Sequence, residues 1–183
     1  MRAWQKLGLL AVVGMGAMVT MAARQQRPAF TPEQEARLRI REVMEGLYLI
    51  PGFDGGQSGG NVAVRVTDGG VIIVDNKFPY SFDFITEQVA NVTGQPIRYV
   101  LNTHHHDDHS GSNADFMESA DVIAHKNARI NIVRNEQPGA PRLVFTDETA
   151  VFLGDAEVQM HGLVAHDVLH LLGGAGHLVA AAE

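Results

Sequence analysis

The chain has 183 residues, a length suited to one modest domain, and its 45% apolar and 19% charged residues are the balance of a globular protein. Lys plus Arg number 14 against 21 Asp plus Glu, and the formal charge of −7 argues against a nucleic-acid partner, because phosphate binding needs clustered cations. Cysteine is absent, which excludes disulfides, thiolate zinc sites, iron–sulfur clusters and cysteine nucleophiles, while nine histidines direct any metal chemistry toward imidazole and carboxylate ligands.

Residues 1–23 set Arg2 and Lys6 ahead of an uncharged stretch that closes on Ala22 and Ala23, the layout of a secretory signal peptide. That stretch is short for a membrane span. The expectation is an exported protein, periplasmic or secreted, cleaved after Ala22 or Ala23 and without a stable membrane span after cleavage. Residues 24–30 read as a flexible leader. Thr31-Pro32-Glu33 then opens a helix, with a capping hydroxyl, proline at the first helical position and acids in the first turn, and the helix is expected to run to about residue 45 and stop at Gly46.

A short apolar strand over 47–50 ends at Pro51-Gly52, and residues 52–60 are too glycine-rich for regular structure. Strands over 62–66 and 71–74 are joined by Thr67-Asp68-Gly69-Gly70, a hairpin signal. Phe82, Ile85, Val89 and Val92 recur at helical spacing over 82–92. A strand over 97–101 runs directly into a histidine cluster. A strand over 122–124, a helix over 125–133, a loop over 137–141 and a hairpin of 150–153 with 157–161 about Gly154-Asp155 complete the pattern. Strands mixed with helices imply an α/β layered domain.

The chemistry is concentrated at Asn102-Thr103-His104-His105-His106-Asp107-Asp108-His109. On an extended segment His104 and His106 project to one face, since side chains alternate with period two, and can share one ion. Asp108 and His109 follow where a turn can bend them toward the same region, to bind a second ion or orient a water. Zinc is the default metal for such a set. By alternation His105 faces away, and Asp107 is likewise a supporting residue at most.

His104-x-His106-x-Asp108-His109, following a strand and Thr103, resembles the signature of the metallo-β-lactamase superfamily. The likeness extends through residues 54–61, the strand ending in Asp75, and Ser110-Gly111-Ser112-Asn113, and covers about residues 47–161. The resemblance implies a four-layer αβ/βα sandwich, here mainly its N-terminal half. It also implies a zinc hydrolase with one or two ions, in which zinc-bound hydroxide attacks the carbonyl of a small-molecule substrate such as a β-lactam, lactone or thioester. By the same resemblance His104 and His106 belong to a first metal site, with His166 in Ala165-His166-Asp167 as its third ligand and His161 as the alternative. Asp108 and His109 belong to a second site, and Asp108 is the catalytic residue that orients the water and accepts its proton.

After His161 the family pattern fades. The expected layout is therefore a signal peptide over 1–23, a leader over 24–30, the N-terminal half of the domain over 31–166 and a divergent tail over 167–183, as a frameshift or truncation near 161–166 produces. With the second sheet missing, strands 62–66 and 71–74 would expose apolar surface and favour self-association. A non-catalytic metal-binding fragment is the alternative function, and ion storage by the cluster a third. Asp75 either hydrogen-bonds a ligand imidazole or only begins a turn. The loop over 52–60 is either a flap over substrate or a plain hairpin tip. His125 reads as a structural histidine at a helix cap.

Overall fold

The structure, a computed structural model, describes residues 26–52 and 56–162, together with the backbone of 177–182. The expected signal peptide and His166 lie outside the described residues.

Helix α1 (Pro32–Leu38) begins as the sequence dictates. The Thr31 hydroxyl accepts from the Gln34 N–H, the Gln34 side chain accepts from the Thr31 N–H, and Pro32 occupies the first turn. The helix ends seven residues earlier than expected. Arg39 is extended, and residues 41–44 form strand β1 (Arg41–Met44), which turns through Gly46 (φ 69°) into the antiparallel strand β2 (Leu47–Ile50). Ile40, Val43 and Met44 fit helical spacing, but the strand has a partner to pair with, and pairing overrides weak local propensity.

Strands β3 (Val62–Thr67) and β4 (Gly70–Val74) continue the antiparallel meander. From β4 onward the sheet is parallel: β5 (Ile97–Asn102), β6 (Asp121–His125) and β7 (Leu143–Phe145) follow in spatial order, giving seven strands in sequence order. Helices α2 (Phe82–Ala90) and α5 (Lys126–Arg134) lie in two of the connections, and two single turns, α3 (Asp107–Ser110) and α4 (Asn113–Phe116), follow β5. Strand β7 is an addition to the sequence expectation. At three residues with two of them exposed, it carries almost no periodic signal.

Strand β4 is buried at all five positions. Its side chains divide by alternation: Val71 and Ile73 pack with Ile85, Val89 and Phe116 of the helices, while Ile72 and Val74 pack with Leu101, Val151, Val158 and Met160. The last three belong to a second sheet, made by β8 (Glu148–Leu153) and β9 (Ala156–Gly162) as an antiparallel hairpin and β10 (His177–Ala182), parallel to β9.

This corrects the expectation of a missing second sheet. Three strands of it are present, and Val62, Val64 and Val71 to Ile73 are fully buried. Residues 177–182, within the stretch expected as a divergent tail, form a strand. Helices, seven-stranded sheet and three-stranded sheet give three layers among the described residues. No helix among these residues is long and apolar enough to cross a membrane.

Candidate metal centre

The parallel strands β4 and β5 end side by side, and the site is built where they stop. Strand β4 closes on Asp75-Asn76-Lys77, with Asp75 (φ 64°) and Lys77 (φ 58°) both in the left-handed region. Such conformations are costly for residues with a β-carbon and persist where surrounding bonds hold them. Those bonds are visible. Asn76 donates to Asn113 Oδ1 at 2.6 Å and accepts from the Ser112 N–H at 2.9 Å, the Asp75 N–H reaches the Leu101 carbonyl at 2.8 Å, and the Asn76 N–H reaches the His109 carbonyl at 2.7 Å.

Strand β5 delivers Thr103 and His104 directly. His106 caps the single turn α3, which bends Asp108 and His109 back toward the strand ends. The turn is held by the Ser110 hydroxyl, which donates to the carbonyls of His105 and His106 at 3.1 Å each. As a result one ligand atom each from His104, His106 and Asp108 lie within 4.8 Å of one another, and His106 is exposed while the other two are half-buried. His109 adjoins this group, its Nε2 3.4 Å from Asp108 Oδ2 and its ring 4.1 Å from that of His104.

Asp75 organises the imidazoles. Its carboxylate accepts the Thr103 N–H at 2.8 Å and the Thr103 hydroxyl at 2.7 Å, and its Oδ2 lies 2.7 Å from His109 Nδ1. A carboxylate only accepts, so His109 carries its proton on Nδ1. The Thr103 hydroxyl has spent its one hydrogen on Asp75, so at 3.0 Å from His104 Nδ1 it accepts, and His104 also carries its proton on Nδ1. In their neutral forms both rings thereby present an unprotonated Nε2. Of the two roles open to Asp75 in the sequence, the structure shows the hydrogen bond to a cluster imidazole.

The same contacts set the titration. His109 is raised above its ordinary value: burial pulls it down, but the hydrogen bond and charge of Asp75, joined by the charge of Asp108, outweigh that. His104 is lowered, by burial first and then by the neighbouring His109.

Other candidates fall outside the cluster. His161 sits on β9 with its Nδ1 3.6 Å from Glu148 Oε2, and it is not part of the group that could hold an ion. His125 caps α5, its Nδ1 accepting from the Asn127 N–H and its Nε2 2.6 Å from the Thr146 carbonyl, a structural histidine as expected. Asp107 is bonded to Gln137. Sequence reasoning missed Lys77, whose side chain is buried beside this site (1% exposed). The one hint available was a lysine three residues beyond a fully apolar strand.

The sequence matches the profile of the Metallo-beta-lactamase superfamily over residues 55–181. The chain belongs to this superfamily. Solved structures of members share the fold. A metallo-beta-lactamase from Pontibacter korlensis is 14% identical, with a TM-score of 0.58 over 68% of this chain and 71% of that one. GOB-18 from Elizabethkingia meningoseptica is 20% identical, with a TM-score of 0.56 over 73% of this chain and 54% of that one. BJP-1, a subclass B3 enzyme of Bradyrhizobium japonicum, is 25% identical, with a TM-score of 0.52 over 65% of this chain and 49% of that one. The chain thus spans about half the length of GOB-18 and BJP-1. No curated protein sequence matches it. The superfamily match runs to residue 181, beyond His161, after which the motif likeness fades.

Proposed function

We propose that the chain is an exported, zinc-dependent hydrolase of the metallo-β-lactamase superfamily, acting on a small molecule with a hydrolysable carbonyl: a β-lactam, lactone or thioester. The observation that carries this reading is the convergence of His104, His106 and Asp108 within 4.8 Å, beside His109, with the neutral His104 and His109 rings both holding their protons on Nδ1. The donor set fits zinc: neutral imidazole and carboxylate are its usual ligands in the absence of thiolate, and hydrogen-bonded outer partners fix the rings as such sites require.

His104 and His106 would hold a first ion with His166, and Asp108 and His109 a second. Zinc supplies Lewis acidity there and brings the pKa of a bound water to about 7. The chain does the rest. Asp108, half-buried at the rim, orients the attacking water and accepts its proton at a carboxylate oxygen. Asp75 and Thr103 keep the imidazoles in one orientation. The exposure of His106 leaves the centre open to a substrate from solvent.

The test uses purified protein lacking residues 1–23. It should hold one or two zinc ions after removal of loose metal and turn over a chromogenic cephalosporin, a lactone or a thioester, and His106→Ala should abolish turnover. Bound zinc without turnover of any of the three would instead assign a non-catalytic metal-binding role.

A further inference from the structure

Beside the centre, the glycine-rich loop is anchored from beneath. Lys77 is 1% exposed, and its ammonium donates to the carbonyls of Pro51 at 2.9 Å, Ser58 at 3.0 Å and Gly60 at 2.5 Å. Three carbonyls match the three donors of an ammonium, which is what a buried charge needs to be tolerated. All three come from one loop, so the lysine gathers both ends of it onto one point.

The gathered end of that loop touches the centre directly. The Gly60 N–H donates to the Asp108 carbonyl at 2.9 Å, and a β-carbon at Gly60 would stand 2.6 Å from His109 Nε2 and 2.9 Å from its Nδ1. The backbone of Gly60 is therefore packed closely against the His109 ring, where a β-carbon would overlap the ring. Gly59 (φ 68°) lets the loop cross the lysine stem, a β-carbon there falling 3.0 Å from Lys77 Cβ. Asp75 holds Nδ1 of the same ring, and the Lys77 carbonyl accepts the Gly111 N–H at 2.9 Å, directly after α3.

We propose that Lys77 is a positioning residue of the metal centre: by drawing the carbonyls of Pro51, Ser58 and Gly60 together it presses Gly60 onto the His109 imidazole and the Asp108 backbone and fixes that half of the site. The proposal rests on the reading of the cluster as a metal site. A loop anchor needs only hydrogen bonds, and a neutral amide would serve; a fully buried ammonium two residues from Asp75 ties the loop to the same turn that holds the histidines.

Two variants of the full chain test it. Lys77→Met keeps the buried stem and removes the three donors. Gly60→Ala attacks the same contact from the loop side. Zinc affinity is read by competition with a chromophoric chelator, with His109→Ala marking the ion that depends on His109. The His109 Nδ1–H resonance is read by NMR in the metal-free protein, and thermal unfolding is followed alongside.

Each variant should weaken the His109-dependent ion by about 10- to 100-fold, the range for residues that orient ligands, and should broaden or shift the His109 resonance. The double variant should lose little more than either single one, because both break one contact. Wild-type zinc affinity and an unchanged His109 resonance in Lys77→Met overturn the proposal, and a lowered melting temperature with both readouts intact reduces Lys77 to a structural staple and overturns it equally. If Lys77→Met does not fold, Lys77→Gln, which removes the ammonium and shortens the reach to the three carbonyls, decides on the same readouts. A wild-type chain that binds no zinc refutes the hydrolase reading instead, and the NMR comparison still decides whether Lys77 places His109.

Discussion

At Asp75 a single carboxylate receives two donors from Thr103 and one from His109, and through Thr103 it also governs the proton of His104. Replacing it by asparagine puts an NH2 group where a donor already points, so His109 loses its acceptor and both tautomers become free to change. We expect Asp75→Asn to weaken zinc binding by about 10- to 100-fold while leaving far-UV circular dichroism unchanged. Undiminished affinity in that variant would show that the rings need no such partner.

Titration separates the two histidines. His109 lies above 6.5 in the folded chain, so in metal-free protein its contribution to stability is complete below pH 6.5 and is lost as the pH rises through its folded value. His104 lies below 6.5, so its contribution is present above pH 6.5 and is lost as the pH falls through its folded value. Metal needs neutral imidazole. On acidification the affinity for the ion held by His109 should therefore start to fall at a higher pH than the affinity for the ion held by His104. Zinc affinity followed against pH should fall in two steps, the one at higher pH missing in His109→Ala; a single step in the wild-type protein contradicts this.

What the sequence disclosed at this scale follows from range. His104 and His106 share a face by strand alternation, a local property. Lys77 reaches its carbonyl partners 17 to 26 residues away in sequence, and no local pattern announces that a lysine will be buried.

At the scale of elements, those with a repeating signal were legible: β3, β4, β5, α2 and the β8–β9 hairpin each carry an apolar period or a turn motif, and their expected bounds hold to within two residues. Strands β1 and β7 escaped because their residues are almost all exposed, and their identity comes from the neighbour they pair with. What fixes the site elements against one another is a chain of buried amides. Asn113, on α4, accepts from Asn76 at 2.6 Å and donates to Asn102 Oδ1 at 2.8 Å, linking the ends of β4 and β5.

Asn113→Ala leaves both neighbours buried without that partner, at a cost of about 1–3 kcal/mol for each orphaned group. Urea unfolding should show the loss. A change under about 0.5 kcal/mol, the size usual for surface substitutions, would mean that water replaces the amide.

For the molecule as a whole, the sequence pointed to an uncovered inner face of the main sheet, and the structure covers it. The β8–β9 segment reads locally as a hairpin, and nothing in its alternation says against which surface it packs. In the structure it supplies Val151, Val158 and Met160 to the cluster formed by Ile72, Val74, Leu101 and Ile123, so the strands that end in Asp75 and Asn102 are braced from both faces. The hairpin turn supports this placement, since Gly154 (φ 56°) lies against the β3–β4 turn, where a β-carbon would stand 2.8 Å from the Gly69 nitrogen.

If this hairpin is an integral wall of the core, its two faces must differ sharply in energetic weight. Met160 is fully buried and Phe152, on the opposite face, is 68% exposed. Truncating Met160 to alanine should cost about 2–5 kcal/mol, the range for large-to-small changes in a packed core. Phe152→Ser should change stability by no more than about 0.5 kcal/mol. Chemical denaturation of the two variants measures the contrast directly, and near-equal effects would mean that the second sheet is not packed on the first. Because Ile72 and Val74 lead into Asp75, Met160→Ala should also loosen the His109 resonance, whereas Phe152→Ser should leave it unchanged.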